Sequence, residues 1–187
     1  MTAGRVATAS NLATAAGTIT FCDIAGFTRF TREQGDEAAL ALLEVFDTIV
    51  RESLPAEGRF VKSLGDGALT FVPDPGQALR ASLAQQRRFA ELASSDLPLW
   101  VRTGMHYGSA IARGDDLVGH DVNLASRIAD QAVPGEVLAT ASVLAAGPLA
   151  PGLRASEIGP VFVKGVDDAV RLFRIEAVGD GLSSSGT

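Results

Sequence analysis

The chain of 187 residues has a formal net charge of −6 and is 47% hydrophobic and 20% charged, a balance typical of a globular domain with its own core. This acidity argues against a protein that binds nucleic acid non-specifically, because such binding needs a basic surface. The single cysteine, Cys22, excludes an intramolecular disulfide, and no apolar run approaches the roughly 18–20 residues of a membrane span.

The two ends of the chain differ in composition from the rest. Residues 1–16 are small and polar and lack the apolar segment of a signal peptide, so we expect a flexible lead-in and a cytoplasmic protein. Residues 178–187 are rich in glycine and serine, which predicts a disordered tail. Residues 17–177 are then expected to form one domain.

The first predicted elements are a strand, a helix and a hairpin. Residues 18–23 favour a buried strand, and residues 31–54 place apolar side chains at helical spacing. Thr31 is the expected N-cap of this helix, and Pro55 follows its end. Residues 58–72 predict two strands joined by a tight Gly-Asp-Gly turn, since Asp-Gly favours positive φ.

The next elements are a second helix and a pair of strands. Residues 75–94 have the pattern of an amphipathic helix. Residues 97–114 predict two strands separated by a kink at Gly104 and Gly108, because glycine inside a strand pattern often marks a bend.

A third helix precedes the last strands. Residues 120–132 predict a helix that begins at Asp121 and ends before Pro134. Shorter strands are expected at 136–140, 153–158, 160–164 and 170–177. The order of all elements predicts an α+β fold with a ferredoxin-like βαββαβ core and additional C-terminal strands. Its helices are expected to pack around a mostly antiparallel sheet.

Two aspartates stand where the first strand and the hairpin meet. Asp23 ends the strand, and Asp66 lies at the tip of the hairpin. Because the strand and the hairpin are neighbours in a ferredoxin-like sheet, both carboxylates reach one edge, where they suit Mg²⁺ or Mn²⁺. The alternative is a helix cap for Asp23 and a turn residue for Asp66. Two adjacent carboxylates would, however, repel each other unless a cation joined them.

Two other patterns suit phosphate. The backbone N–H groups of the turn at residues 26–28 lead into a helix and can hold a phosphate without a lysine. Asn123 and Arg127 are four residues apart and share one helix face. An amide there can orient a hydroxyl, and a guanidinium can bind phosphate oxygens. Taken alone, the pair fits an ordinary exposed helix face better than a binding site.

A lysine and an aspartate form a possible base-reading pair. Lys62 offers a hydrogen-bond donor, and Asp116 offers an acceptor. Adenine presents the complement, with an acceptor at N1 and a donor at N6, whereas guanine reverses this order. The neighbouring Asp115 carries the same group, and Asp116 is preferred for its spacing of seven residues before Asn123.

Four motifs that contain these residues occur in a fixed order, namely "FCDIAGFT", "VKSLGDG", "GHDVNLASRI" and "VFVKGV". Together they resemble the catalytic domain of the class III nucleotidyl cyclases over nearly all of residues 17–177. The form with a short dimerisation arm, found in bacterial adenylate cyclases, is the most similar. The resemblance implies an adenylate cyclase that converts ATP to 3′,5′-cyclic AMP and pyrophosphate, with attack of the ribose 3′-hydroxyl on the α-phosphate.

The resemblance also implies a role for each residue of the site. Two ions of Mg²⁺ or Mn²⁺ would be held by Asp23, Asp66 and the backbone carbonyl of Ile24. Lys62 and Asp116 would bind the purine, and Asn123 would bind the ribose. Arg127 would contact the α-phosphate, and Lys164 the terminal phosphates. Phe27 and Thr28 would lie in the turn beneath the triphosphate.

The same resemblance implies that ATP binds between two copies of the chain. Each site of a homodimer would take Asp23 and Asp66 from one copy. The other copy would supply Lys62, Asp116, Asn123, Arg127 and Lys164. The segment between Tyr107 and Asn123 is shorter than the dimerisation arm of many members, which predicts a weak dimer. His106 is expected to be structural, and His120 to stand at a helix start.

Two other functions remain open. A guanylate cyclase is disfavoured by the Lys62 and Asp116 pair, because guanine presents the opposite pattern of donors and acceptors. A non-catalytic cyclase-like domain that binds a nucleotide or a partner is disfavoured because the metal aspartates and the pair of Asn123 and Arg127 are all present.

Overall fold

The structure, a computed structural model, describes residues 13–166 and 168–178. Its elements are β1 (Thr14–Ile24), α1 (Phe27–Gln34), α2 (Asp36–Glu52), β2 (Arg59–Ser63), β3 (Gly67–Val72), α3 (Pro75–Leu92), β4 (Val101–Arg113), β5 (Asp116–Val118), α4 (His120–Ala129), β6 (Val137–Thr140), α5 (Ala141–Ala145), β7 (Leu153–Val161) and β8 (Val170–Ala177). Because β1 begins at Thr14, the last residues of the expected lead-in are part of a strand. Residues 1–12 of that lead-in and residues 179–187 of the expected tail lie outside the described residues.

Within the described residues, eight strands form one sheet. Seven of them lie in the order β2-β3-β1-β4-β6-β8-β7, and β5 pairs with β4. The four strands β2, β3, β1 and β4 are antiparallel neighbours and form the ferredoxin-like core that the sequence predicts. β6 joins β4 in parallel, and β8 and β7 extend the sheet in antiparallel fashion. The predicted α+β fold with additional C-terminal strands is confirmed.

The single helix predicted over residues 31–54 is wrong, because the chain forms two helices there. α1 begins directly after Gly26 (φ +80°), and Gly35 (φ +89°) separates it from α2. Both glycines adopt the left-handed region that side chains disfavour. Thr31 lies inside α1, where its hydroxyl donates to the Phe27 carbonyl at 3.1 Å, and it is therefore not an N-cap.

The predicted kink in the fourth strand is also wrong, since β4 runs unbroken through both glycines. Gly104 and Gly108 lie on the face that α4 covers. A Cβ at Gly104 would stand 2.0 Å from the backbone nitrogen of Ala129, and one at Gly108 would stand 2.2 Å from Asp121 Oδ2. These glycines bring a helix close to the sheet and do not bend the strand.

Short elements account for most other differences. The two strands expected at 153–158 and 160–164 form the single strand β7, with a register shift between Glu157 and Gly159. β5 and α5 were not predicted, because three and five residues are too few for a periodic pattern. After a turn at Gly114, β5 pairs antiparallel with the end of β4, and the two strands form a hairpin.

Helices cover both faces of the sheet. α1, α2 and α3 enclose one core against β1 and β4, with large members Ile24, Leu42, Phe46, Phe89 and Leu99. On the opposite face α4 packs over Ile19, Leu69, Ala110 and Leu117. Cys22 is buried in the first core, and burial raises the pKa of its thiol to about 12, so it serves as a small apolar side chain. None of the described helices combines the length and hydropathy needed to cross a membrane.

Replacing Gly104 with alanine tests the close approach of α4 to the sheet. The new Cβ would overlap the backbone of α4, so we expect the free energy of unfolding to fall by about 3 kcal/mol or more. Urea denaturation followed by circular dichroism measures this change. Ser109→Ala, at an exposed position of the same strand, is the control and should stay within about 0.5 kcal/mol of wild type. Equal midpoints for Gly104→Ala and wild type would contradict the packing.

Candidate active site

Asp23 and Asp66 lie at the same edge of the sheet. Asp23 pairs in register with Gly67 of β3 and with Arg102 of β4. The N–H of Ile24 donates to the carbonyl of Asp66 at 2.9 Å, which ties the hairpin tip to the end of β1. Gly67 permits this approach, because a Cβ there would stand 2.6 Å from the Cys22 carbonyl oxygen. The carboxylates therefore come from neighbouring, rigidly paired backbone.

Arg102 is a residue of this edge that the sequence analysis did not single out. Its Nε lies 2.5 Å from Asp23 Oδ1, and its Nη2 lies 3.2 Å from Oδ2, a bidentate ion pair. Burial raises the pKa of the Asp23 carboxyl, the Asp66 charge adds to that rise, and the ion pair offsets only part of it. Only the register between β1 and β4 would have revealed Arg102. Because Asp23 and Arg102 are 79 residues apart in the sequence, no local pattern indicates their pairing.

The donor set at this edge fits a hard divalent cation. Asp23 and Asp66 offer carboxylate oxygens there, and Ile24, the third predicted ligand, offers a backbone carbonyl. Both oxygens of Asp23 also accept from Arg102, so an ion would share this carboxylate with the guanidinium. No group of three or more His, Cys, Asp and Glu side chains is arranged for a metal within the described ranges. The small donor set suits Mg²⁺, which usually binds one or two carboxylates and completes its shell with water and substrate phosphates.

The turn that follows Asp23 leads directly into α1. Gly26 adopts φ +80°, and its carbonyl accepts from the N–H of Phe30 at 3.0 Å. No side chain caps the start of α1 in the described part of the chain. Phe27 packs against the core while Thr28 is exposed. Uncapped N–H groups therefore stand next to the aspartates, where a helix start attracts negative charge.

Lys62 and Asp116 are brought together from 54 residues apart in the sequence. Lys62 Nζ donates to Asp116 Oδ2 at 2.7 Å, and the other carboxylate oxygen accepts from the N–H of Leu117 at 2.8 Å. Lys62 holds the pKa of the Asp116 carboxyl below its ordinary value. Asp115 instead offers its backbone carbonyl to Arg59 at 2.9 Å. Of the two neighbouring aspartates, Asp116 is thus the one whose carboxylate meets Lys62.

Asn123 and Arg127 project from α4 into a groove that Lys164 also lines. The groove has a volume of about 300 Å³, and His120 lies along it one turn before Asn123. Arg127 Nη1 lies 3.3 Å from Asp130 Oδ2, a pair in which both side chains are 47% exposed. The predicted ribose and phosphate residues therefore share one groove. His120 was expected only as a helix-start residue, although its spacing from Asn123 already placed it on the same face.

Three comparisons with known proteins bear on this arrangement. Residues 12–177 match the family model of the adenylate and guanylate cyclase catalytic domain. An uncharacterized protein of Mycobacterium tuberculosis is 33% identical over 158 residues, which are 84% of this chain and 40% of that protein. A pH-sensitive adenylate cyclase of the same species is 32% identical over 174 residues, 90% of this chain and 43% of that protein. The chain thus spans less than half the length of these two relatives.

A solved structure adds evidence on the fold. The crystal structure of the adenylyl cyclase CyaB from P. aeruginosa superposes with a TM-score of 0.69 at 22% identity, covering 89% of this chain and 96% of that one. At this identity the likeness speaks for the fold alone. The family match covers nearly the whole chain and includes the strand, hairpin and helix that carry the site. The chain therefore belongs to the class III adenylate and guanylate cyclase catalytic domain family.

Proposed function

We propose that the chain is an adenylate cyclase that converts ATP to 3′,5′-cyclic AMP and pyrophosphate. Membership of the family makes it a nucleotidyl cyclase domain, and the choice of ATP rests on one observation, the ion pair between Lys62 and Asp116. Lysine carries three donors and a carboxylate about four acceptor positions, so the pair has groups left for a base. With Lys62 facing N1 and Asp116 facing the N6 amine, the pair complements adenine, whereas guanine in the same pose would place its N1–H against the lysine and its O6 against the carboxylate.

The other residues of the site would bind and orient the substrate. In this proposal the Asn123 amide holds the ribose, and Lys164 pairs with the terminal phosphates beside the backbone N–H groups of Phe27 and Thr28. Arg127 donates to the α-phosphate oxygens as negative charge builds there, which is the kind of fixed donor that contributes most in transition states. Its exposed pair with Asp130 leaves the guanidinium free to turn toward a phosphate.

Two ions of Mg²⁺ or Mn²⁺ at Asp23, Asp66 and the Ile24 carbonyl would lower the pKa of the 3′-hydroxyl and neutralise charge on the phosphates. Asp23 stands on backbone fixed by two strand pairings, and the backbone of Asp66 is tied to the end of the same strand by the hydrogen bond from the Ile24 N–H. Carboxylates fixed in this way by folding would hold such an ion with little reorganisation on substrate binding.

The complete site is proposed to form between two copies of the chain. The groove that Asn123, Arg127 and Lys164 line does not include Asp23 or Asp66 among the residues described. Both half-sites are present in each copy, so a two-fold dimer would complete two equivalent sites, and two-fold symmetry is the commonest arrangement of homodimers.

The first prediction concerns the reaction itself. Purified protein with ATP and Mn²⁺ or Mg²⁺ should yield cyclic AMP, and ATP should be used at least about ten times better than GTP, as one favourable base contact predicts. Asp66→Asn should lower the rate to background, because the second carboxylate of the metal site is lost. Liquid chromatography of the products measures both. Preferential use of GTP would indicate the guanylate cyclase instead, equal use of both nucleotides would refute base selection by Lys62 and Asp116, and no product with either nucleotide would indicate a non-catalytic domain.

The second prediction separates recognition from stability at Lys62. The pair is more than a third exposed, so Lys62→Met should change the free energy of unfolding by less than about 1 kcal/mol. The loss of a charged hydrogen bond to the base should lower kcat/KM for ATP by about 10- to 100-fold. Arg154→Met removes an exposed ion pair elsewhere, with Glu176, and should leave both quantities unchanged. A large loss of stability with unchanged kcat/KM would count against a base-reading role.

The third prediction tests the shared site by mixing two inactive variants. Arg127→Ala should lose about 10²–10³-fold in kcat, since it removes a donor from the transition state. Mixed dimers of Asp66→Asn with Arg127→Ala contain one intact site out of two. An equal mixture should therefore regain about a quarter of wild-type activity. Differently tagged copies verify that mixed dimers form. No regain in verified mixed dimers would place the whole site within one copy.

A further inference from the structure

The imidazole of His106 lies at the junction of three elements. His106 stands in the middle of β4 with its side chain 12% exposed. Its Nδ1 lies 2.9 Å from Thr140 Oγ1 and 3.2 Å from Ser142 Oγ, at the point where β6 passes into α5. Its Nε2 lies 3.6 Å from Asp121 Oδ1 in the first turn of α4. The ring therefore links the sheet, the β6–α5 junction and α4.

Asp121 connects the ring to the backbone of β4. Its Oδ1 faces His106, while its Oδ2 accepts from the N–H of Ser109 at 2.7 Å. Gly108 leaves the space for this carboxylate, since any Cβ there would overlap it. Asp121 was expected as the first residue of the helix, but the helix begins at His120. The hydrogen bond of the Asp121 carboxylate holds the first turn of α4 against β4.

The ring satisfies its partners best in the neutral form. Burial lowers the pKa of His106, and the nearby Asp121 offsets part of this effect. A neutral imidazole has one donor and one acceptor. With the proton on Nε2 the ring turns its N–H toward Asp121 Oδ1, an electrostatic contact of 3.6 Å that is longer than a hydrogen bond, and Nδ1 accepts from the hydroxyl of Thr140 or Ser142. Both ring nitrogens are then used, and their use fixes the orientation of the ring.

The position of α4 on the sheet determines the positions of two proposed substrate-binding residues. Asn123 follows Asp121 by two residues, and Arg127 lies one turn beyond Asn123, both exposed toward the groove. The far end of α4 is held by its close approach to Gly104, and its first turn by Asp121. A shift of that first turn would move both side chains relative to the nucleotide, and small misplacements cost much in catalysis.

We propose that His106 is a positioning residue, which holds the first turn of α4 on β4 through Asp121 and thereby orients Asn123 and Arg127 toward the substrate. The inference rests on the proposed roles of these two residues in nucleotide cyclisation. His106 itself touches no reacting atom, and its effect passes through the Asp121 carboxylate.

Hydrogen–deuterium exchange read by mass spectrometry tests the positioning without reference to activity. His106→Leu removes both ring contacts, so the amides of residues 109 and 120–125 should exchange about 10-fold faster, as the loss of a local hydrogen bond predicts. The matched control is Gln85→Leu, which removes a buried side-chain hydrogen bond to the Val50 carbonyl on the other face of the sheet. It should leave α4 unchanged. Unchanged exchange of α4 in His106→Leu, or an equal rise throughout the protein, overturns the inference.

Kinetics supply the second readout. His106→Leu should lower kcat about 10-fold with KM for ATP nearly unchanged, and His106→Gln, which keeps an amide donor toward Asp121, should recover most of the loss. In an Arg127→Ala background His106→Leu should cost about 3-fold and not 10-fold, because one of the two groups it positions is gone and Asn123 remains. Full additivity of the two losses overturns the inference. A wild type without cyclase activity would refute the proposed function alone, and the exchange measurement would still decide the role of His106.

Discussion

The central strand β1 determines where the chemistry of this domain can occur. It pairs with β4 along its whole length and with β3 from Thr18 to Asp23, so its end cannot move independently of either neighbour. Asp23 therefore stands between the hairpin that carries Asp66 and the start of β4 that carries Arg102. A carboxylate on a loop would need to be ordered by its ligand, whereas this one is ordered by folding.

The second half of the site depends on the opposite face of the same sheet. α4 approaches β4 so closely that two positions of the strand must be glycine. Asn123 and Arg127 are then placed by helix packing, and Lys164 reaches the same groove from the segment after β7. One sheet thus supports the edge with Asp23 and Asp66 by strand pairing and the helix with Asn123 and Arg127 by close packing, so a chain of this length can present both groups of the proposed site.

Local patterns predicted the elements well, and tertiary contacts explain where they failed. The β2–β3 hairpin and α3 follow from turn chemistry and from periodicity within a few residues. Gly104 was interpreted as a local break, but its role is to admit the backbone of a helix 25 residues later. Gly35 separates two helices because its backbone adopts a positive φ. The spacing of the apolar residues continues across it and therefore gives no sign of the break. Arg102 became visible only through a strand register, and its pairing with Asp23 has no trace in nearby sequence. The roles of the site residues came from four motifs taken together.

The contact between Lys62 and Asp116 has a consequence for how a base would be selected. In the free chain each side chain already restrains the other, so the rotamer entropy of both is lost during folding and not on binding. A purine would meet a preformed local dipole whose sign is fixed before it arrives. A matching edge would be attracted to that dipole, and a reversed edge would face like poles and be repelled. Discrimination would then arise from the penalty on the wrong base as much as from affinity for the right one.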